Sequence, residues 1–211
     1  PLRMADDALK CYEAIKKPTR VCLMGYFGYS NLGDEVTLGA AKAALLKIGI
    51  SSISVIAARK GGTDGEERLF NRSSPIQLIE AIRGCDAFVL CGGNLLQNET
   101  SERSLIYYEW LIRTARALGK RVYMLSSGFG EVRGARGGAL VKRGIKAALF
   151  CGCRTSYDLR VARLLGAKTA SLMPDLCFLL YNGQPKNTRS SRKCFAYIPK
   201  RRGELSAEQL L

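Results

Sequence analysis

Asp34 and Glu35 stand side by side in the stretch VCLMGYFGYSNLGDEVTLGAAKAALLKIG, residues 21–49, where a glycine-spaced turn leads from an apolar strand into a helix. Turns of this layout often hold a phosphate, because a helix N-terminus presents free N–H groups and the positive end of its dipole. Here the glycines at 25, 28 and 33 fit neither the GxGxxG dinucleotide spacing nor the GK[ST] phosphate loop. The acids themselves repel a phosphate. Asp34 is therefore either an N-cap, a role worth about 1 kcal/mol, or a carboxylate aimed at a neutral ligand, and one residue can do both. Flanked by Asn31, such a carboxylate can take hydrogen bonds from sugar hydroxyls and accept a proton from one.

A second chemistry-bearing stretch is CGGNLLQNETSERSLIYY, residues 91–108. Gly92 and Gly93 let backbone or ligand approach closely. Asn94, Gln97, Asn98, Thr100 and Ser101 supply neutral donors and acceptors, a composition suited to a polyol. The alternative is loop and cap chemistry, with Ser101 as N-cap of the next helix. Three further polar stretches, SSGFGEVRGAR, RTSYD and PDLC, also follow apolar runs.

These loops need elements to position them. Strand-like runs occur at RVCLMGY, SSISVIAA, DAFVLCGG, KRVYMLSSG, CGCRTS and KTASLMP. Helical periodicity lies between them: Leu38, Ala41, Leu45 and Ile48 closed by Gly49; PIQLIEAIRGC with proline at its first position; SLIYYEWLIRTARALG; roughly 138–150; and YDLRVARLLG. The stretch GGTDGEERLFNRSS, residues 61–74, reads as a surface loop. Regular βα alternation predicts an α/β fold with a doubly wound, mostly parallel, Rossmann-like sheet. Ligands of such sheets bind beyond the carboxyl ends of the strands, which is where the polar loops fall.

Composition narrows the class. The net charge of +15 fits solvated surface cations, an anionic membrane surface or anionic ligands. Nucleic acid is disfavoured, since no aromatic residues interleave with the basic clusters as a base-stacking platform requires. Eight cysteines without a single histidine leave the CxC at Cys151 and Cys153 short of a zinc set, and no metal site is expected. Most cysteines lie in or beside apolar strands, as reduced thiols in a cytoplasmic protein would. No apolar run approaches the roughly 20 residues that span a bilayer, and residues 1–17 show no signal-peptide core. We divide the chain into an N-terminal helical extension (1–19), a Rossmann-like domain (20–180), a linker (181–192) and the start of a second α/β domain (193–211).

The strings GYFGYSNLGDEVTL, CGGNLLQNETSERSLIYY, ALGKRVYMLSSGFG and MPDLCFLL together resemble the polysaccharide pyruvyl transferase family, especially its bacterial cell-surface-anchoring type. The resemblance implies a two-domain fold like that of GT-B glycosyltransferases, with 20–180 as the acceptor-side domain and the active site between domains. It implies transfer of pyruvyl from phosphoenolpyruvate to two sugar hydroxyls as a ketal, without a further cofactor. The acceptor would be a lipid-linked or polymeric cell-surface saccharide, with the enzyme cytoplasmic or peripheral at the inner membrane face and its oligomeric state open. On this resemblance Asp34 is the base or hydroxyl anchor. Asn31, Gly33, Glu35, Gly92, Gly93, Asn94, Gln97, Ser104 and Tyr107 contact the acceptor, and Arg154 faces an anion across the cleft. Asp175 either touches ligand or holds a turn. Cys91 departs from the family's usual first glycine and Asn98 from its usual aspartate. The donor-binding basic residues belong to the second domain, so this chain is expected to be inactive alone. Two other classes fit the residues: a GT-B glycosyltransferase using a nucleotide sugar, and a non-catalytic basic module on a membrane surface or nucleic acid.

Overall fold

The computed structural model describes residues 19–58, 68–99 and 101–180. The expected helical extension up to residue 18, the linker and the second-domain start lie outside the described residues. Seven parallel strands form one sheet: β1 (Arg20–Met24), β2 (Ser52–Ala57), β3 (Arg68–Asn71), β4 (Ala87–Cys91), β5 (Arg121–Ser127), β6 (Phe150–Cys153) and β7 (Ala170–Leu172). Their order is β3-β2-β1-β4-β5-β6-β7, so the direction of winding reverses between β1 and β4. That reversal opens a crevice at the strand ends, the usual binding position in such sheets.

The central strands β1, β4, β5 and β6 are apolar on both faces because both faces are covered. Along β1, Cys22 and Met24 point into one core and Val21 and Leu23 into the other, as the two-residue period of a strand dictates. Helices α2 (Pro75–Gly84), α3 (Glu102–Ala117), α4 (Gly134–Ala147) and α5 (Ser156–Leu164) cover the first face, supplying Leu78, Leu105, Leu111, Val141 and Ala162 to its core. Helix α1 (Leu32–Lys47) and a 3₁₀ turn at Leu176–Leu180 cover the second, through Leu38, Ala41, Leu45 and Leu176. Cys22, Cys85, Cys91, Cys151 and Cys153 are buried free thiols. Among the described residues no helix is long and apolar enough to cross a membrane.

Two sequence readings need correction. Part of the expected loop at 61–74 is strand β3, which pairs with β2 at the sheet edge (Val55 with Leu69, Ile56 with Phe70). Only Phe70 of its four residues is buried, so the strand lacks the apolar alternation that marks a half-covered one. The helix expected at 138–150 begins earlier, at Gly134, and ends at Ala147; Phe150 opens β6 instead.

Candidate functional site

The turn between β1 and α1 is fixed from within. Asn31 is the N-cap of α1, its Oδ1 accepting from the Gly33 N–H at 3.2 Å. The Glu35 carboxylate accepts from the Gly28 N–H at 2.8 Å and so closes the loop on the helix. Asp34 is therefore not the cap, contrary to one sequence reading: the amide side chain three residues earlier already serves that donor. The Asp34 carboxyl is half-buried and pushed up to about 6. Burial is the main cause and the like charge of Glu35 the next; Arg154 pulls it down, and Asp175 pushes it up again.

The loop after β4 comes to this carboxyl because two glycines turn it. Gly92 and Gly93 have φ of +63° and +67°, where L side chains are strained. A Cβ on Gly92 would lie 2.9 Å from the Thr37 methyl on α1. The β5 loop seats against the β4 loop through the Gly128 N–H donating to the Gly93 carbonyl at 3.1 Å. A Cβ on Gly128 would meet Asn94 Oδ1 and Arg154 Nη2, so a larger residue there would push both side-chain ends out of their present positions. Ser126, just before it, adopts φ 53° within an irregularity of the β5–β6 pairing.

Arg154, after β6, knits these loops together. Its Nη2 donates to Asn94 Oδ1 at 2.7 Å, and its Nη1 pairs with Asp175 Oδ2 at 3.3 Å. Asp175 also accepts from the Cys177 N–H, which starts the 3₁₀ turn. Asp158 of the RTSYD stretch is structural: it forms a capping box with Thr155 and accepts from the Phe129 N–H at 2.7 Å. Asn98 exchanges two hydrogen bonds with the Arg133 backbone, tying the β4 loop to the β5 loop. Ser101 caps α3 through the Ser104 N–H.

Asn31, Gly33, Asp34, Gly93, Arg154 and Asp175 thus line one cleft of about 410 Å³. Asn94 joins it through Arg154, and Gln97 packs beneath, its Cβ 3.2 Å from where a Gly130 Cβ would stand. Two carboxylates, Asp34 and Asp175, against one guanidinium make this a poor phosphate site and a good one for hydroxyl donors. Glu35, also expected to touch the acceptor, turns its carboxylate to the Gly28 N–H and does not line the cleft.

Ser104 and Tyr107, by contrast, line a second cleft of about 660 Å³ with Tyr26, Tyr29, Arg72 and Arg103. Sequence reasoning missed Arg72 and Arg103. Arg72 follows β3 and sits among four phenol rings, 5.0 Å from the centroid of Tyr29, 5.3 Å from Tyr107, 5.7 Å from Tyr26 and 5.8 Å from Tyr108. Tyr26 and Tyr29 stack on each other at 4.2 Å. The Tyr107 hydroxyl donates to the Arg72 carbonyl at 3.0 Å, and burial pushes its phenol up to about 12. The signal for this cleft was the tyrosine spacing in GYFGYS and LIYYEW, which finds meaning only once β3 delivers a guanidinium between them.

Among the described residues no cluster of three Cys, Asp or Glu side chains is placed to hold a metal ion. A family model described as polysaccharide pyruvyl transferase matches residues 31–208. No curated protein matches the chain. Among solved structures, one of a functionally uncharacterized protein from Klebsiella pneumoniae subsp. pneumoniae NTUH-K2044 matches at 17% identity and a TM-score of 0.45. That match covers 84% of this chain and 56% of the other, so the chain spans little more than half the length of that protein.

Proposed function

Because the chain belongs to the polysaccharide pyruvyl transferase family, we propose that it carries the acceptor side of an enzyme that moves pyruvyl from phosphoenolpyruvate onto a saccharide as a cyclic ketal. The observation that carries this reading is Asp34, a half-buried carboxyl titrating at about 6 in a cleft shared with Gly93 and Arg154. A base with a pKa just below neutrality is ionised at working pH yet still basic enough to take a proton from an attacking hydroxyl.

In the proposed reaction one sugar hydroxyl attacks C2 of phosphoenolpyruvate while C3 gains a proton. A second hydroxyl of the same sugar then forms the other C2–O bond as the C2–O bond to phosphate breaks. Two hydroxyl protons are released: one is balanced by the proton added at C3, and the other leaves with phosphate. Asp34 takes the proton of the attacking hydroxyl. Asn31 and Asn94 orient the sugar by neutral hydrogen bonds, and Arg154, bridging Asn94 and Asp175, fixes the cleft wall. The acid for C3 and the cations for the donor come from outside this domain.

The test is phosphate release from phosphoenolpyruvate by the full-length protein, with and without a lipid-linked or polymeric cell-surface saccharide as acceptor. Release is expected only with acceptor, with a rate that falls as pH drops below about 6, a dependence that Asp34→Asn abolishes. Acceptor-independent release, or an Asp34→Asn variant within a few-fold of the parent, would overturn the reading.

A further inference from the structure

We propose that the aromatic cleft of Tyr26, Tyr29, Arg72 and Arg103 binds the phosphate-bearing part of a phosphorylated saccharide, whose neutral part reaches the Asp34 cleft. The saccharide half of this statement rests on the acceptor reading above; the anion half rests on the cleft itself. None of the side chains lining it is acidic. Arg103 is exposed and, among the described residues, has no carboxylate partner. Arg72 makes one side-chain hydrogen bond, from Nη2 to the Tyr108 hydroxyl at 3.3 Å, and its buried Nη1 has no acceptor.

The neighbouring groove between α3 and α4 shows how unusual this is. There Glu109 sits 3.3 Å from Arg113 and 3.1 Å from Arg143, and Glu102 pairs with Arg136 at 3.5 Å, so each of those guanidiniums is matched by an acid. Around Arg72 the phenol faces hold the cation by cation–π attraction, which stabilises the charge without cancelling it. Two uncancelled guanidiniums beside the Ser104 hydroxyl form a donor set for a phosphate. The stacked Tyr26–Tyr29 pair, each ring close to half exposed, offers a flat face against which a sugar ring can lie.

The two clefts draw on adjacent stretches of the chain. The β1–α1 turn supplies Tyr26 and Tyr29 to one and Asn31 and Asp34 to the other. The Asp34 charge is felt by the Tyr108 phenol behind the aromatic cleft. A ligand with a neutral sugar at one end and a phosphate at the other would therefore lie along a single turn.

Binding by the 211-residue chain tests this, using calorimetry and amide chemical shifts with N-acetylglucosamine 1-phosphate, its neutral methyl glycoside, inorganic phosphate and uridine monophosphate. The sugar phosphate is expected to bind roughly tenfold tighter than the glycoside. Arg103→Ala, at an exposed and unpaired position, should remove part of that advantage, leaving the share that Arg72 carries, without changing glycoside affinity or melting temperature. Tyr29→Ala should weaken both sugars. Equal affinity for the two sugars, or an unchanged preference in Arg103→Ala, overturns the proposal. So does inorganic phosphate binding as tightly as the sugar phosphate, or tighter binding of uridine monophosphate. If the sugar phosphate binds in an Arg103-dependent way while neither sugar shifts the amides around Asp34, the acceptor reading fails and the anion site stands.

Discussion

On one side of the β1–α1 turn, Asp34, Glu35 and Asp175 outnumber Arg154; on the other, Arg72 and Arg103 face a cleft with no acid in its lining. The β1–α1 turn and the first turn of α1 serve both. In the acidic cleft, charge is crowded and desolvated, and the result is a carboxyl held close to neutrality. In the aromatic cleft, the cation is caged by ring faces that leave its charge available. On the proposed reading the difference gives the two sides separate tasks: proton transfer and hydroxyl recognition beside Asp34, anion recognition beside Arg72. Dividing the tasks keeps a phosphate from pairing with the base's own neighbours.

The largest effect should come from removing the base. Asp34→Asn is expected to lower turnover by at least about 100-fold, measured as acceptor-dependent phosphate release by the full-length protein. Its effect on stability should have the opposite sign. Asp34 has a folded pKa of about 6 against an ordinary 3.8, so between those values the folded state holds more protons than the unfolded one. Stability then falls as pH rises from about 4 to about 6. Asp34→Asn removes that loss, and its melting temperature should exceed the parent's above pH 6 and converge with it below about pH 4. A variant less stable than the parent at pH 7 would show that the carboxylate is a structural support instead.

Gly128→Ala breaks the acidic cleft by a different route. The added methyl overlaps the ends of the Asn94 and Arg154 side chains, which must swing aside and give up their mutual hydrogen bond, at a cost of about 1 kcal/mol in denaturant unfolding. Neutral glycoside affinity should fall with it. Binding of the phosphate end should persist, since none of the aromatic-cleft side chains lies among the atoms that methyl would meet. Loss of both together would mean that the clefts are one mechanical unit.

How far these two regions can be read from sequence differs for the same reason. The acidic cleft was legible: β1, β4, β5 and β6 are continuous apolar runs, a parallel sheet brings their trailing loops to one edge, and Asp34, Gly93 and Arg154 follow directly. Its finer arrangement was not, because Asn31 and Asp34 are both plausible caps and only the backbone angles at Asn31 decide between them. The aromatic cleft was hidden. Its central residue, Arg72, follows an edge strand of four residues with a single buried side chain, set in a polar stretch that reads as loop. Ser104 and Tyr107 were expected to contact the acceptor beside Asp34 but line this cleft instead. A helix turn separates Ser104 from the β4 loop, and sequence distance along that loop carries no information about which way the helix leaves it.

A smaller effect should follow from Arg154→Gln. Arg154 is the positive charge that lowers the Asp34 pKa against the pull of burial, so its loss should move the carboxyl further above 6, tracked by the carbon shift of the Asp34 carboxyl. The acid limb of the rate profile should move the same way, with turnover at pH 7 down by a few-fold. Glutamine keeps a donor for Asn94, which separates the charge effect from collapse of the wall. An Asp34 titration that stays in place would mean the guanidinium's charge is already cancelled by Asp175 at 3.3 Å.

The smallest difference is also the most direct measure of the contrast between the clefts. Raising salt from about 0.05 to about 0.5 M shortens the screening length from roughly 14 Å to roughly 4 Å. A phosphate held by Arg103, an exposed cation, should bind several-fold more weakly at the higher salt. A neutral glycoside beside Asp34 interacts through hydrogen bonds whose partners carry no net opposing charge, and its affinity should hardly change. Arg72, sheltered by four rings, is screened less than Arg103, so the residual phosphate affinity at high salt reports on Arg72 alone. If that residue of affinity vanishes with Arg103→Ala at every salt concentration, the caged guanidinium serves the fold and only the exposed one reads the anion.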